Sequence, residues 1–270
     1  MTRPTERLIL RPKSDQLDRP APLHHGDLQR IGGLPAVSAL FQRAPERVER
    51  LFFEPRMAGQ VHNFCQMMAK ARKPYRQVSA EELTKIGGSP LHGGVVAVAY
   101  PKHPLPLDMA DFAAWSAAKQ SVIILDGVGN PHNLGAIART MAFFGFGKLI
   151  LSNHPEQASL SGAAQRVAEG GLEWIDVYTG GNMTALVTGL CPHYTVIGTA
   201  LGTYESPKKA FQKTAKPIAL LFGNEEIGLP TSTLKACDTV VTIQGRGQIQ
   251  SLNVSNSAAI LLHALADSQV

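Results

Sequence analysis

The alternation of apolar and polar positions divides the chain into two patterned stretches, with a proline-rich break between them. Residues 1–27 are rich in Pro, Arg and Asp and show little period, which is the pattern of a mobile tail. From residue 28 the period appears. LQRIGGLPAVSALFQ predicts a helix around Pro35–Gln42, opened by a Gly-Gly turn. VERLFFE is strand-like, and AGQVHNFCQMMAKARK has helical spacing through Val61, Phe64, Cys65 and Met68. VSAEELTKIGG sets Ser79 as an N-cap with Glu82 three residues on, then a Gly-Gly stop. GVVAVAY predicts a buried strand. Helix alternating with strand predicts a small α/β layer domain over 28–100.

PKHPLPLDMADFAAWSAAKQ, residues 101–120, opens with three prolines. It predicts a linker followed by a short helix. A second domain is expected over 121–270. SVIILDGV, KLILS, TVIGTAL, PIALLFGNE and TVVTIQG read as strands. LGAIARTMAFFGF reads as a helix stopped by Gly145 and Gly147, and NSAAILLHALAD as a closing helix. The first of these elements form a βαβ unit. Continuous apolar strands between helices predict a parallel sheet covered on both faces.

Composition narrows the class. The 270 residues are 44% hydrophobic and 17% charged, enough for one large domain or two ordinary ones and incompatible with disorder throughout. Three widely spaced cysteines, Cys65, Cys191 and Cys237, exclude a disulfide scaffold or Cys-rich zinc site. They fall in apolar segments and are expected to be core thiols. No apolar run reaches the roughly 18 residues of a membrane span, and the charged N-terminus is not a secretory signal. A cytoplasmic protein is expected. The net charge of +5 is unevenly placed: residues 1–120 hold 17 Lys and Arg against 11 Asp and Glu, and residues 121–270 hold 9 against 10. That asymmetry suits a polyanion partner for the N-terminal part, or a solvated basic face.

Three polar segments follow predicted strands, where open α/β sheets bind ligands. They are NPHNLGAIART from Asn130, GNEEIGLP from Gly223 and QGRGQIQSLNVS from Gln244. No GxxxxGK[ST] loop occurs, and Gly127-Val128-Gly129 lacks the rest of a dinucleotide fingerprint. There is no GxSxG elbow. The nine histidines show no HExxH or paired spacing, so no metal is expected, and His24-His25 reads as solvated tail.

NPHNLGAIART, LLFGNEEIGLP and QIQSLNVSNSAAILL resemble, in order and spacing, the three motifs of the TrmH/SpoU family of RNA ribose 2′-O-methyltransferases, within the SPOUT superfamily. The likeness covers 121–270, including RVAEGGLEWIDVY. Residues 31–100 look like the family's L30e-like substrate-binding domain, and the general look is closest to a bacterial subgroup called YfiF-like. The resemblance implies a deep trefoil knot, a homodimer, S-adenosylmethionine as cofactor and tRNA or rRNA as partner. Gly223, Ile243 and Leu252 match positions whose backbone holds the cofactor. Asn133, Arg139, Glu225, Ser251 and Asn253 match the polar residues around the reacting groups. Gln244 stands where the family usually has Pro, and Asn256 where a small or apolar residue is common.

Residue chemistry leaves several roles open. Gly223, Gly228, Gly245 and Gly247 permit positive φ and close backbone approach to a flat adenine, or are plain turn glycines. Asn133 can cap its helix, serve the site, or both. Arg139 interrupts an apolar run and must reach solvent, an RNA phosphate, or a carboxylate such as Glu225. Ser251 and Asn253 can orient the ribose or cap the last helix. Glu225 fixes Arg139 or a loop, and Glu226 reads as an exposed turn residue. Lys70, Arg72, Lys73 and Arg76 around Tyr75 form a candidate RNA contact or a solvated helix end. The expected activity is S-adenosylmethionine-dependent ribose 2′-O-methylation. The alternatives are a knotted RNA-binding protein without activity and a base methyltransferase.

Overall fold

The computed structural model describes residues 28–202, 204–212 and 214–269. The expected tail, residues 1–27, lies outside them. The first unit contains β1 (Gln29–Gly32), α1 (Leu34–Arg43), β2 (Val48–Phe53), α2 (Ala58–Lys70), β3 (Tyr75–Gln77), α3 (Ala80–Gly87) and β4 (Val95–Ala99). Its sheet runs β1-β4-β2-β3, with β4 antiparallel to both neighbours and β2 parallel to β3. Val37, Leu40, Val48, Leu51, Val61 and Val95 fill the core. Ser79 Oγ accepts from the Glu82 N–H at 3.2 Å, and Gly88 closes α3 in the left-handed region at φ 69°. Both ends of α3 are therefore set by the residues the sequence marks.

The strands β1 and β3 were not expected. Ile31 is the one buried residue of β1, and β3 is exposed throughout. Backbone pairing, not an apolar period, makes these two strands.

The second unit continues with β5 (Leu105–Pro106), α4 (Asp111–Ala117), β6 (Val122–Asp126), α5 (Pro131–Phe144), β7 (Lys148–Leu151), α6 (Gly162–Ala168), α7 (Gly171–Trp174) and β8 (Asp176–Thr179). It ends with α8 (Met183–Leu190), β9 (Thr195–Thr199), α9 (Pro207–Gln212), β10 (Ile218–Gly223), α10 (Thr231–Ala236), β11 (Thr239–Val241) and α11 (Val254–Ser268). The sheet runs β11-β9-β10-β6-β7-β8-β5, all parallel. Strands β6 and β10 are buried at every position. Ile123 and Leu125 face a layer containing Leu134, Ile137, Leu261 and Leu265; Val122 and Ile124 face Phe112, Val187 and Tyr194. The period-2 alternation of β6 thus serves two apolar layers at once.

The 101–120 segment corrects the expectation of a linker. Its prolines lead into β5, which adds to β8 at the sheet edge, where a missing N–H is tolerated. Phe112 and Trp115 are buried against the second sheet. The expected helix is present, but it belongs to the packed unit. In the other direction, β11 is shorter than TVVTIQG suggests, and residues 242–253 form neither helix nor strand.

The two units meet along a partly buried polar seam. Arg47 Nη1 reaches Glu173 Oε2 at 2.7 Å, and Lys102 Nζ donates to the carbonyls of Leu172 at 2.6 Å and Ile175 at 2.8 Å. At Gly170, φ 89°, an added Cβ would come within 2.9 Å of Ala39, so α1 packs directly on the turn before α7. Among the described residues no helix is long and apolar enough to cross a membrane. Among the same residues no group of three or more His, Cys, Asp or Glu is placed to hold a metal ion.

Helix α5 lies very close to α6. A Cβ at Gly135 would sit 2.4 Å from the Ala164 carbonyl oxygen and 2.9 Å from Val167 Cβ. Gly135→Ala gains about 1 kcal/mol of helix propensity, but overpacking costs about 1–3 kcal/mol and backbone cannot yield like a side chain. We expect net destabilisation, seen as a lower urea midpoint with unchanged slope.

Candidate active site

Strands β6 and β10 are neighbours in register, with Gly223 opposite Asp126. Their ends therefore deliver the 127–130 and 224–230 loops to one place. Helix α5 begins at Pro131, and Asn130 is its cap: Asn130 Oδ1 accepts from the His132 N–H at 2.8 Å. The sequence reading gave Asn133 that option. Proline at the first helical position moves the cap one residue before it, which frees Asn133 for other partners.

Asn133, 7% exposed, is the centre of the site. Its Nδ2 donates to Glu225 Oε1 at 2.8 Å, and its Oδ1 accepts from Asn253 Nδ2 at 3.0 Å. Glu225 also accepts from the backbone N–H of Gly129 at 3.1 Å and Asn130 at 3.4 Å. Asn253 Oδ1 accepts from Ser255 N–H at 2.8 Å and so caps α11. Of the two roles open for Asn253 the structure shows the helix cap, and the same side chain also completes the cluster. Partial burial pushes the Glu225 carboxyl up, but hydrogen bonds from Asn133 and the backbone of Gly129 and Asn130 outweigh it and hold its pKa below the usual carboxylate value.

Asn224 shapes the second loop and was missed by sequence reasoning. Its Nδ2 donates to the Gly127 carbonyl at 2.8 Å and to Glu156 Oε2 at 3.0 Å; its Oδ1 accepts from the N–H of Glu226 at 2.9 Å and Ile227 at 3.2 Å. An Asn directly after a buried strand was the available signal. Gln157 was missed as well: its Oε1 accepts from the N–H of Gly127 at 3.0 Å and Val128 at 3.2 Å. It lies in an aperiodic stretch, so no sequence pattern marks it.

The glycines divide. Gly228 takes φ 69°, whereas Gly223, Gly245 and Gly247 do not adopt positive φ. Gly223 is required for a different reason. An added Cβ would lie 2.3 Å from the backbone of Gly228 and Leu229, so the strand end is pressed against its own loop. Gly245 and Gly247 have open space around them. Ile243 packs partly against the core under α5 and α11. Ser251 and Leu252 are exposed beyond it, and Glu226 is exposed as expected. Ile227 and Ile249 are also exposed.

Arg139 does not join Asn133. It lies six positions on, roughly 9 Å along the helix and about a third of a turn away. The ion pair considered with Glu225 is absent. Arg139 Nη1 instead meets Glu169 Oε1 at 3.0 Å, with both side chains more than half exposed. Glu225 is turned to Asn133 and the α5 N-terminus, whereas Glu169 lies at the end of α6, the helix packed on α5.

Two of the four basic RNA candidates are engaged internally. Lys73 Nζ donates to the carbonyls of Glu46 at 2.7 Å and Val48 at 2.6 Å and meets Glu49 Oε1 at 2.8 Å. Arg76 pairs with Glu82 and lies 6.0 Å over the Phe52 ring. Lys70, Arg72 and Tyr75 remain exposed. The cysteines are half-buried, less so than expected. Burial raises all three thiols, Cys237 to about 12, which leaves them unreactive.

Residues 120–263 match the SpoU rRNA methylase family, and residues 30–105 match the RNA 2′-O ribose methyltransferase substrate-binding family. The chain is 34% identical over 238 residues to a protein of Escherichia coli O157:H7 described as the uncharacterized tRNA/rRNA methyltransferase YfiF. That alignment covers 86% of this chain and 66% of YfiF, just under two thirds of its length. The chain is 31% identical to the 23S rRNA (guanosine-2′-O-)-methyltransferase RlmB of Acinetobacter baylyi, covering 86% of this chain and 94% of that protein. An AdoMet-bound rRNA methyltransferase from Sinorhizobium meliloti shares the fold: TM-score 0.73 and 20% identity, covering 91% of this chain and 89% of the other.

Asn133→Ala removes a donor to a carboxylate and the acceptor for Asn253; both partners are exposed and can turn to water, so the cost in unfolding free energy is about 0.5–1.5 kcal/mol. Glu225→Gln tests the charge. Because the folded pKa lies below the reference 4.5, the stabilising contribution is present above that value and is lost as pH falls through the folded pKa. Urea unfolding at neutral pH should show the variant less stable than the parent, and the gap should close in acid. A gap independent of pH would show that the charge is not the anchor.

Proposed function

The chain belongs to the SpoU family of rRNA methylases, and on that premise we propose that it methylates a ribose 2′-hydroxyl of tRNA or rRNA using S-adenosylmethionine. The observation that carries this reading is the Glu225–Asn133–Asn253 chain of hydrogen bonds, which ties all three polar segments into one site.

The residues present suit the cofactor. The 242–253 segment keeps its backbone out of helix and strand, so N–H and C=O groups are available to a nucleobase edge. Ile227, Ile249 and Leu252 expose apolar surface on the two flanking loops, suited to the face of a flat ring. Gly223, Gly228, Ile243, Gly247 and Leu252 would hold it. S-adenosylmethionine supplies a methyl group on a positively charged sulfur. The 2′-oxygen must approach that carbon in line and lose its proton. Arg139, with a pKa above about 12, acts as a phosphate anchor and electrostatic activator, and the proton leaves through phosphate or water. Glu169 does not prevent this, because an exposed pair is worth about 0–1 kcal/mol and a phosphate matches both prongs of the guanidinium. Ser251 is free to meet the ribose.

The second unit is threaded as a deep trefoil knot. In support, β11 lies at one sheet edge while α11 returns to α5 beside central β6, so residues 242–253 cross the ends of the intervening strands. The protein is a homodimer closed over α5 and α11. Phe143, 81% exposed, and Ile260, 44% exposed, support that surface. Arg139 and Phe143 are four residues apart and share a helix face. Residues 28–100 form the L30e-like substrate unit, and the free thiols suit a reducing cytoplasm.

Mapping ribose methylation across total RNA with and without the gene tests the function. One lost position identifies the substrate; a methyl on a base, or no loss, overturns the reading. Arg139→Ala should lower transfer about 100-fold or more while calorimetry still records S-adenosylmethionine binding. Near-normal turnover removes Arg139 from the mechanism. Phe143→Arg should convert dimer to monomer in sedimentation, and an intact dimer excludes that face.

A further inference from the structure

A cleft of about 280 Å³ opens in the seam between the two units. Arg43, Arg47, Lys102 and His103 line it together with Glu173 and Asp176. Its two carboxylates are already paired, Glu173 with Arg47 at 2.7 Å and Asp176 with Lys148 at 2.8 Å. Arg43 is left as a surplus positive group facing the same space, with His103 beside it, while Lys102 is already turned to the carbonyls of Leu172 and Ile175. At its margin Arg43 lies 5.4 Å over the ring of Trp174, which is 48% exposed. The wall is also short of hydrogen bonds. Glu173 Oε1 and Arg47 Nη2 are buried without partners, and Glu173 keeps only 3% of its side-chain surface.

The cleft is remote from the methylation site. Asp176 begins β8, so it stands on the rim where the parallel strands start, whereas Asn133 and Glu225 stand where they end. The strands between span about 17 Å. Arg139 marks the way between the rims: an added Cβ on Gly171, the first residue of α7, would lie 2.8 Å from Arg139 Cα, and Trp174 ends that helix.

We infer that this seam cleft, with Trp174 and Arg43 at its mouth, is a second RNA subsite that holds one nucleotide of a single-stranded segment several nucleotides from the methylated ribose. The inference rests on the proposed RNA substrate. The Arg43 guanidinium receives phosphate, and the half-exposed indole of Trp174 offers a stacking face to a base. Inorganic phosphate alone satisfies only the first of these.

The test uses the full chain, total rRNA and a short mixed-sequence oligoribonucleotide. Tryptophan emission, RNA affinity across a salt series and S-adenosylmethionine affinity are read together. The second tryptophan, Trp115, is buried, so RNA-dependent quenching should vanish in Trp174→Ala. That variant should bind RNA about tenfold more weakly, and Arg43→Ala should reduce the log–log salt slope by about 0.7. Cofactor affinity should stay constant in both. Inorganic phosphate should neither quench nor compete at matched ionic strength.

Unchanged RNA affinity and quenching in both variants would overturn the subsite while wild-type methylation leaves the function standing. Wild-type protein that neither binds nor methylates RNA would overturn the function instead. If an alanine variant also loses cofactor affinity through misfolding, Arg43→Glu and Trp174→Leu decide: weaker RNA binding in a cofactor-competent protein supports the subsite, and unchanged RNA binding excludes it.

Discussion

An ionised carboxylate can only accept hydrogen bonds, and Glu225 imposes that asymmetry on everything around it. Facing it, Asn133 must present its NH2, so its carbonyl oxygen points the other way and must meet a donor. Asn253 supplies that donor, which turns its own oxygen toward the first N–H groups of α11. One charge thus sets the orientation of two amides and starts one helix. Asn133 lies in the first turn of α5, Glu225 on the loop after β10 and Asn253 at the start of α11. Fixing them restrains segments whose free ends would otherwise have much to lose in entropy. The charge is tolerated because the site is only partly buried and three N–H groups, of Asn133, Gly129 and Asn130, compensate it.

That lock requires the strand ends to arrive in the right places, and close backbone packing ensures this. Gly223 lets the end of β10 touch its own returning loop, and Gly135 lets α5 approach α6. Asn224 then bridges the β10 loop to Gly127 and Glu156, so the β6 and β10 loops move as one body. Arg139 lies outside that lock, in an exposed pair with Glu169 worth about 0–1 kcal/mol.

The parallel sheet was legible because buried strands leave continuous apolar runs, and α3 because Ser79 and Gly88 punctuate it. The three polar segments were legible as a set through their spacing along the chain. Other features left no pattern. Strands β1 and β3 are made by backbone pairing, and β5 hides among prolines whose missing donors matter only in a central strand. Asn224 and Gln157 act through side-chain contacts to backbone that no period encodes. The Arg139–Glu169 pair depends on the packing of α6 against α5, a tertiary fact. Lys73 and Arg76 show the same limit: a basic cluster in sequence cannot reveal which members are spent on Glu46, Glu49 and Glu82.

That last point changes what the charge asymmetry means. A surplus of positive charge in residues 1–120 suggests RNA affinity spread over the small unit, centred on AKARKPYRQ. Lys73 of that segment is held by two carbonyls and Glu49, and a satisfied cation releases few counterions when RNA arrives. Part of the available surplus therefore lies at the seam, where Arg43 faces a cleft whose carboxylates are already paired. Arg43, Arg47 and Lys102 belong to the N-terminal count, and the last two are held by Glu173, Leu172 and Ile175 of the second unit. RNA affinity and unit docking then share residues. Holding the small unit against α7 also assembles the basic surface beside Trp174, so the seam contributes to binding only while the two units are packed together.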